Sequence, residues 1–188
     1  KLDPAEPHVA LVFWFRKEWI EGLAGGSVEL APVRRLIQNA ATGLAFDPAL
    51  GRALATAGAR RDELFLTTKV WVANYSAGRF AASVDESLEK LGVERVDLLL
   101  AHWPGDQVPA EAQVDWLNEA QAAGKTRLIG VSNYNRSQLR AAIAASAAPI
   151  VTNQIEMHPY LDQSAMAALA RDTGTALTAY YGMADGAV

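Results

Sequence analysis

Residues 64–71 read LFLTTKVW, a short apolar and β-branched run that carries a lysine near its end. Such a nearly continuous run is typical of a strand that is buried on both faces of a parallel sheet. Lysine is rarely buried without a partner, and burial lowers its pKa. Lys69 is therefore either an ordinary strand end that reaches solvent or a charge placed there for function.

Runs of the same kind recur along the chain. They are VDLLLAHW (96–103), RLIGVSN (127–133), IVTNQIEM (150–157) and ALTAYY (176–181), with a weaker run, RLIQNA (35–40), before them. Helical patterns with start and stop signals separate them, at 47–58, 79–92, 109–124, 135–146 and 162–174. Asn135 and Gln138 have the spacing of a capping box. Asp162 is predicted to be the N-cap of the last helix and Gly174 its C-cap.

Alternating strands and helices predict a parallel sheet, either open and doubly wound or closed as a barrel. An open sheet of this kind usually has a glycine-rich phosphate turn after its first strand, and GLAGG (22–26) lacks that spacing. Instead, polar residues stand at the ends of successive strands, about one βα unit apart: Lys69, His102, Ser132, Asn133, Gln154, Glu156 and Tyr180. A barrel gathers such residues at one mouth. We therefore predict an α/β fold, a (β/α)8 TIM barrel.

The barrel is expected to be incomplete in this chain, because a TIM barrel usually needs about 250 residues. Strands 2–7 are recognisable, and an eighth unit is absent from the 188 residues. The chain begins with Lys and its last residues read like the middle of a loop, so both ends look cut. No composition break divides the chain, and residues 1–188 are interpreted as a single domain.

The composition argues against several classes of function. The chain is 51% hydrophobic, has a net charge of −4 and contains no cysteine. The mild negative charge offers no basic surface to nucleic acid, and without cysteine there is no thiolate chemistry. No apolar run is long enough to span a bilayer, so we expect a cytoplasmic protein with no membrane partner. The three histidines lie far apart in the sequence, and no metal site is predicted.

Several segments resemble the aldo-keto reductase family in order and spacing. RDELFLTTKVW (61–71) resembles the family's third strand, and SLEKLGVERVDLLLAHWP (87–104) resembles the helix and strand that follow. The other similar segments are GKTRLIGVSNYN (124–135), VTNQIEMHPYL (151–161) and ALTAYYGMADG (176–186). The resemblance covers residues 61–186, whereas residues 1–60 match the family poorly.

The resemblance implies reduction of a small aldehyde or ketone by NADPH, with a tyrosine as the proton donor. Lys69 matches the lysine that tunes the pKa of that tyrosine, and His102 matches the histidine that orients the carbonyl. Trp71 matches a residue of the substrate-pocket wall. A phenol has an ordinary pKa of about 10, so a neighbouring cation is a natural means of lowering it.

The resemblance also implies a cofactor site at the ends of the later strands. Ser132, Asn133 and Gln154 match residues that hydrogen bond the nicotinamide carboxamide. Tyr180 matches the aromatic residue that stacks on the nicotinamide ring. From the residues alone, Ser132 and Asn133 could instead cap the next helix, although Asn135 can supply that cap, and Tyr180 could be ordinary core packing.

The family's catalytic aspartate and tyrosine have no counterparts in this sequence. Their positions, on the second strand and five residues later, hold Gln38 and Gly43. An amide does not ionise and glycine has no side chain, so neither can replace the acid. Either the chain is a family member that has lost its acid, or its first 60 residues are incomplete or unreliable. Tyr75 is the nearby phenol that could substitute, but it is interpreted as a surface-loop tyrosine.

Three functional hypotheses follow. The first is an NADPH-dependent reductase of a small carbonyl compound. The second is a catalytically impaired barrel that binds the nucleotide as a sensor or regulatory subunit, which the residues at positions 38 and 43 favour. The third is a partial barrel that serves as an interaction module, because an open barrel exposes strand edges and apolar surface.

Overall fold

The computed structural model describes the backbone of Val12–Trp14, Arg61 and residues 64–182. Several sequence predictions lie outside the described residues: the strand at 35–40, the helix at 47–58, the loop at 22–26, and the positions Gln38 and Gly43. The described part carries every site residue predicted from the sequence.

Strands and helices alternate as predicted after residue 64. The strands are β1 (Val12–Trp14), β2 (Phe65–Val70), β3 (Val96–Ala101), β4 (Thr126–Ser132), β5 (Ile150–Glu156) and β6 (Ala176–Tyr180). The α-helices are α1 (Arg79–Leu91), α2 (Ala110–Ala122), α3 (Arg136–Ala145) and α4 (Ser164–Thr173), and a 3-10 turn covers Val72–Asn74.

The strands form one sheet in chain order, from β1 to β6. β2 to β6 are all parallel, and a helix precedes each strand from β3 onward. This curled parallel sheet is the architecture of a partial (β/α)8 barrel, which confirms the predicted fold class. β1 was not predicted; it pairs antiparallel with β2, with Val12 opposite Thr67.

The register of the parallel strands sets which residues share the inner face. Lys69 lies opposite Leu100, and Leu100 opposite Gly130. Gln154 lies opposite Ser132 on one side and Thr178 on the other. The alternate residues face the helices, where Leu66, Leu99, Ile129, Val131 and Ile155 belong to the hydrophobic core.

Gly130 lies where its neighbours on β3 and β5 leave no room for a side chain. A Cβ at this position would be 2.8 Å from Leu100 Cδ2 and 2.8 Å from the carbonyl oxygen of Thr152. The pairing of β4 with β5 also shifts by one residue between Ile129 and Val131, as in a β-bulge. The shift brings Ser132 into register with Gln154 at the end of the two strands.

The helix ends agree with the sequence prediction except at one N-terminus. Gly174 ends α4 with φ 70° and Asn135 forms the predicted capping box with Gln138. The N-cap of α4, however, is Gln163 and not Asp162, so that prediction was wrong by one residue. Asp162 Oδ1 still accepts the N–H of Ser164 at 2.8 Å, so it makes a capping-type hydrogen bond from one residue before the N-cap.

Candidate active site

The carboxyl ends of β2, β3, β4 and β6 bring the predicted site residues to one edge of the sheet. Lys69 is the last residue but one of β2, and His102 follows β3 directly. Ser132 ends β4, Asn133 follows it, and Tyr180 ends β6. Because parallel strands end on the same side, side chains far apart in sequence meet at this edge, which we call the mouth.

Lys69 is half-buried at the mouth, and no carboxylate among the described residues is within ion-pair distance of it. Desolvation by burial lowers its pKa from 10.5 to about 8. Its Nζ lies 6.0 Å from the centre of the Tyr180 ring. The charge faces an aromatic surface and not a carboxylate, and the fold keeps this ammonium partly out of water at the mouth.

Tyr180 is not the acid that Lys69 would tune. Burial raises the pKa of the Tyr180 phenol, and the nearby charge of Glu156 raises it further. A lysine that controlled this phenol would lower its pKa. Among the described residues, Lys69 therefore has an aromatic neighbour but no activated phenol.

His102 and Trp71 are neighbours across the mouth. Their ring centres are 4.9 Å apart at an interplanar angle of 79°, an edge-to-face contact. The backbone N–H of His102 donates to the carbonyl of Val70 at 3.1 Å, which continues the β2–β3 ladder one residue past the strand. The sheet therefore brings Trp71, Lys69 and His102 to adjacent strand ends.

Asn133 joins three strand ends through its side-chain amide. Its Nδ2 donates to the carbonyl of His102 at 2.9 Å and to Ser132 Oγ at 3.1 Å. Its Oδ1 accepts the hydroxyl of Tyr180 at 2.6 Å. Both amide hydrogens are thus used within the protein, and Oδ1 retains one lone pair for a ligand.

Ser132 and Gln154 differ in their availability to a ligand. The Ser132 hydroxyl is buried and donates to the carbonyl of Gln154 at 2.8 Å. Gln154 is 4% exposed as a whole residue, and its side-chain amide makes no hydrogen bond within the described part of the chain. Asn135 caps α3 as predicted, so neither Ser132 nor Asn133 is used as a cap.

Tyr75 is buried and not on the surface, which corrects its interpretation as a surface-loop tyrosine. It is 7% exposed, and its ring packs against Phe80 and Trp116 at centre distances of 5.9 and 6.2 Å. Its hydroxyl donates to the carbonyl of Trp103 at 2.9 Å, and burial raises its pKa. Tyr75 therefore stabilises the segment after His102 and is a poor proton donor.

Three residues near the mouth were missed in the sequence. Trp103, 44% exposed, follows His102 and lines a cavity of about 500 Å³ that Asn133, Glu156 and Tyr180 also line. Tyr134 and Asn153 are buried beside Asn133. A signal existed for Asn153: the two-residue period of β5 places it on the helix-facing side, where an amide needs a specific partner.

The described residues contain no group of three His, Asp or Glu side chains placed to hold a metal ion. None of the helices in the described part of the chain has the length and apolar character needed to cross a membrane.

The sequence of residues 47–188 matches the model of the aldo/keto reductase family. The chain belongs to the aldo-keto reductase family. The match begins at residue 47, earlier than the resemblance at 61–186 suggested.

Curated aldo-keto reductases are similar over the same part of the chain. Methylglyoxal reductase DkgB of Escherichia coli O157:H7 is 43% identical over 143 residues, which cover 74% of this chain and 54% of the relative. Morphine 6-dehydrogenase of Pseudomonas putida is 38% identical over 133 residues, which cover 70% of this chain and 45% of the relative. The chain therefore spans about half the length of the curated relatives it matches.

Solved aldo-keto reductase structures have the same fold. A crystal structure described as a 2,5-diketo-D-gluconic acid reductase B is 52% identical, with a TM-score of 0.73, over 75% of this chain and 50% of that chain. A Bombyx mori aldo-keto reductase in complex with NADP is 32% identical, with a TM-score of 0.65, over 70% of this chain and 45% of that one. The likeness covers most of this chain and about half of each of those chains.

Proposed function

We propose that the protein transfers a hydride from NADPH to the carbonyl carbon of a small aldehyde or ketone. The observation that carries the proposal is the arrangement at the mouth, where Lys69 faces the Tyr180 ring and Tyr180 is bonded to Asn133. Similar proteins are named as carbonyl reductases, and one similar structure contains NADP. Their printed names differ in substrate, so we propose only the class of small carbonyl compounds.

Donor and acceptor capacity at the mouth fits the carboxamide of a nicotinamide. The free lone pair of Asn133 Oδ1 can accept an N–H of the carboxamide, and the unused Gln154 amide can donate to its carbonyl oxygen. The Tyr180 ring is proposed to stack on the nicotinamide. NADPH, when bound, supplies the hydride.

Lys69 and His102 are proposed to act on the carbonyl oxygen. An ammonium that is partly removed from water interacts strongly with the negative charge that develops on that oxygen as hydride arrives. His102 is proposed to orient the carbonyl, and Trp71, in contact with it, to form the wall of the pocket. Tyr75 and Tyr134 are not proposed as proton donors, because burial raises the pKa of both hydroxyls. The proton that completes the alcohol, after the hydride has reached the carbonyl carbon, is proposed to come from water at the open mouth.

The test is the loss of NADPH absorbance with methylglyoxal as the carbonyl substrate. Wild-type protein is expected to oxidise NADPH in proportion to the alcohol formed, and Lys69→Met to lose at least about 100-fold in kcat. Lys90→Met is a matched control, because Lys90 is exposed in the last turn of α1, which leads into the amino end of β3, whereas the mouth is at the carboxyl ends of the strands. Equal turnover by wild type and Lys69→Met would reject the role of Lys69.

A second candidate function is nucleotide binding without turnover, and the residues Gln38 and Gly43 favour it. It predicts quenching of tryptophan fluorescence by NADPH with saturation, together with no alcohol product from any carbonyl tested. Loss of quenching in Tyr180→Ala would assign the binding to the mouth. Turnover by the wild type would reject this candidate.

A further inference from the structure

The backbone of Asn133 is held in a conformation that few residues other than glycine adopt. Its φ is 65°, in the left-handed region, which is unfavourable for most residues with a side chain and is tolerated better by asparagine than by most of them. In this conformation its side-chain amide is hydrogen bonded to the carbonyl of His102 and to the hydroxyl of Tyr180, at two strand ends. Contacts elsewhere must therefore hold the two peptide planes that flank Asn133.

One of these planes is fixed by the backbone of β5. The N–H of Asn133 donates to the carbonyl of Gln154 at 2.9 Å, which extends the β4–β5 ladder one residue past the end of β4. The ladder then stops, because Tyr134 is outside the strand. The plane on the carboxyl side of Asn133 needs another partner.

The side chain of Asn153 supplies that partner. Its Oδ1 accepts the N–H of Tyr134 at 3.3 Å, and its Nδ2 donates to the carbonyl of Tyr134 at 2.8 Å. The N–H of Tyr134 belongs to the peptide that joins it to Asn133, so this bond restricts ψ of Asn133. Asn153 is fully buried, where loss of either bond would leave a polar group without water.

The other end of Tyr134 is fixed as well. Its hydroxyl is hydrogen bonded to Gln113 Oε1 of α2, and Gln113 Nε2 donates to the carbonyl of Val108 at 2.6 Å. Tyr134 is 1% exposed. With the ring anchored on α2 and the backbone bound by Asn153, the segment after β4 has little freedom to relax.

We propose that Asn153 is a positioning residue for the mouth: by binding both backbone groups of Tyr134, it keeps Asn133 in the left-handed conformation and Tyr180 bonded to Asn133. Asn153 lies on the helix-facing side of β5 and acts through Asn133 without touching a ligand. The proposal rests on the proposed function only for its effect on NADPH; its effect on Tyr180 is independent of any ligand.

The first measurement is ¹⁹F NMR of the full chain labelled with 3-fluorotyrosine, which gives five tyrosine signals. Tyr180→Phe assigns the Tyr180 signal. In Asn153→Ala we expect that signal to shift or broaden, because the hydroxyl loses its fixed partner. The matched control is Asn118→Ala, which also removes a set of amide hydrogen bonds, to Val114, Ser146 and Ala148, but at a distance from the mouth.

The second measurement is the Kd for NADPH of the same proteins. We expect Asn153→Ala to raise Kd by about tenfold or more, which corresponds to a modest loss of binding energy, and Asn118→Ala to leave it unchanged. Asn153→Gln, which keeps the amide, should recover part of the affinity. Equal Tyr180 signals in Asn153→Ala and wild type, or equal effects of Asn153→Ala and Asn118→Ala, would overturn the proposal. A wild type that binds no NADPH would reject the proposed function, and the NMR result would still decide the role of Asn153.

Discussion

The Lys69 ammonium lies 6.0 Å from the centre of the Tyr180 ring, and these residues are on the second and the last of the described strands. β2 and β6 are separated by three strands in the sheet, so the contact crosses the curled sheet and does not follow from strand pairing. An ammonium at this distance from a ring face is at the outer limit of a cation–π contact. Curvature of the sheet, and not sequence proximity, brings the proposed catalytic and cofactor residues together.

Lys69→Met should stabilise the protein at neutral pH. Lys69 is partly buried without a described ion-pair partner, and its pKa is lowered to about 8 in the folded state. Below pH 8 the lysine is charged in both states, and the folded state bears the desolvation cost. We expect Lys69→Met to raise the free energy of unfolding at pH 7 by roughly 1–3 kcal/mol, measured by urea denaturation.

The pH dependence of that difference provides a check on its cause. Between pH 8 and the ordinary value of 10.5, the unfolded state binds more protons at Lys69 than the folded state. The stability of the wild type should therefore rise relative to Lys69→Met across this window. A difference that stayed constant from pH 7 to pH 10 would mean that the substitution acts through packing.

Two replacements of Tyr180 should distinguish the contribution of its hydroxyl from that of its ring. Tyr180→Phe removes the hydrogen bond to Asn133 and keeps the aromatic surface, so we expect a loss of about 1 kcal/mol in stability and a small effect on NADPH affinity. Tyr180→Ala also removes the proposed stacking surface and should weaken NADPH binding by about tenfold. Scanning calorimetry measures the stability of both variants, and titration calorimetry measures their affinity for NADPH. Equal NADPH affinities of Tyr180→Ala and the wild type would argue against stacking.

Gly130→Ala should destabilise the sheet. The added methyl group would lie 2.8 Å from a backbone carbonyl of β5 and 2.8 Å from a side chain of β3. To relieve the first contact, the backbone of β5 would have to shift, which would disturb the strand pairing. We expect a loss of about 1–3 kcal/mol, measured by thermal or urea unfolding. Gly78→Ala is the matched control, because its new Cβ would meet nothing within 4 Å and its φ of −73° suits alanine. Equal effects of the two substitutions would contradict this account of Gly130.

Thr68→Val should be neutral or stabilising. The Thr68 hydroxyl is fully buried and has no hydrogen-bond partner within the described residues. Removal of an unsatisfied hydroxyl at constant shape is expected to gain up to about 1–2 kcal/mol. Thr152→Val should instead be destabilising, because that hydroxyl bonds Thr178 Oγ1 at 2.8 Å. Urea denaturation measures the free energy of unfolding of both variants. A marked loss of stability in Thr68→Val would show that the Thr68 hydroxyl has a hydrogen-bond partner.

The order and type of the elements after residue 64 could be predicted from local patterns in the sequence. Apolar runs predicted five parallel strands, because a strand covered on both faces needs apolar residues throughout. Glycine and capping signals predicted most of the helix ends, since those signals act within one turn. Asp162 was the exception: it lies one residue before the N-cap Gln163, although its side chain still accepts the N–H of Ser164.

The sequence also predicted which residues stand at the strand ends, but the contacts of each of them follow from the folded sheet and could not be predicted. The antiparallel pairing of β1 with β2 depends on residues more than 50 positions apart, and no local pattern encodes it. Other contacts also join residues that are distant in sequence, and no local pattern encodes them. They are the burial of Tyr75, the hydrogen bonds of Asn133 to His102 and Tyr180, and the hydrogen bond of Asn153 to Tyr134. Local propensity fixes elements, whereas contacts between distant strand ends depend on the curvature and register of the whole sheet.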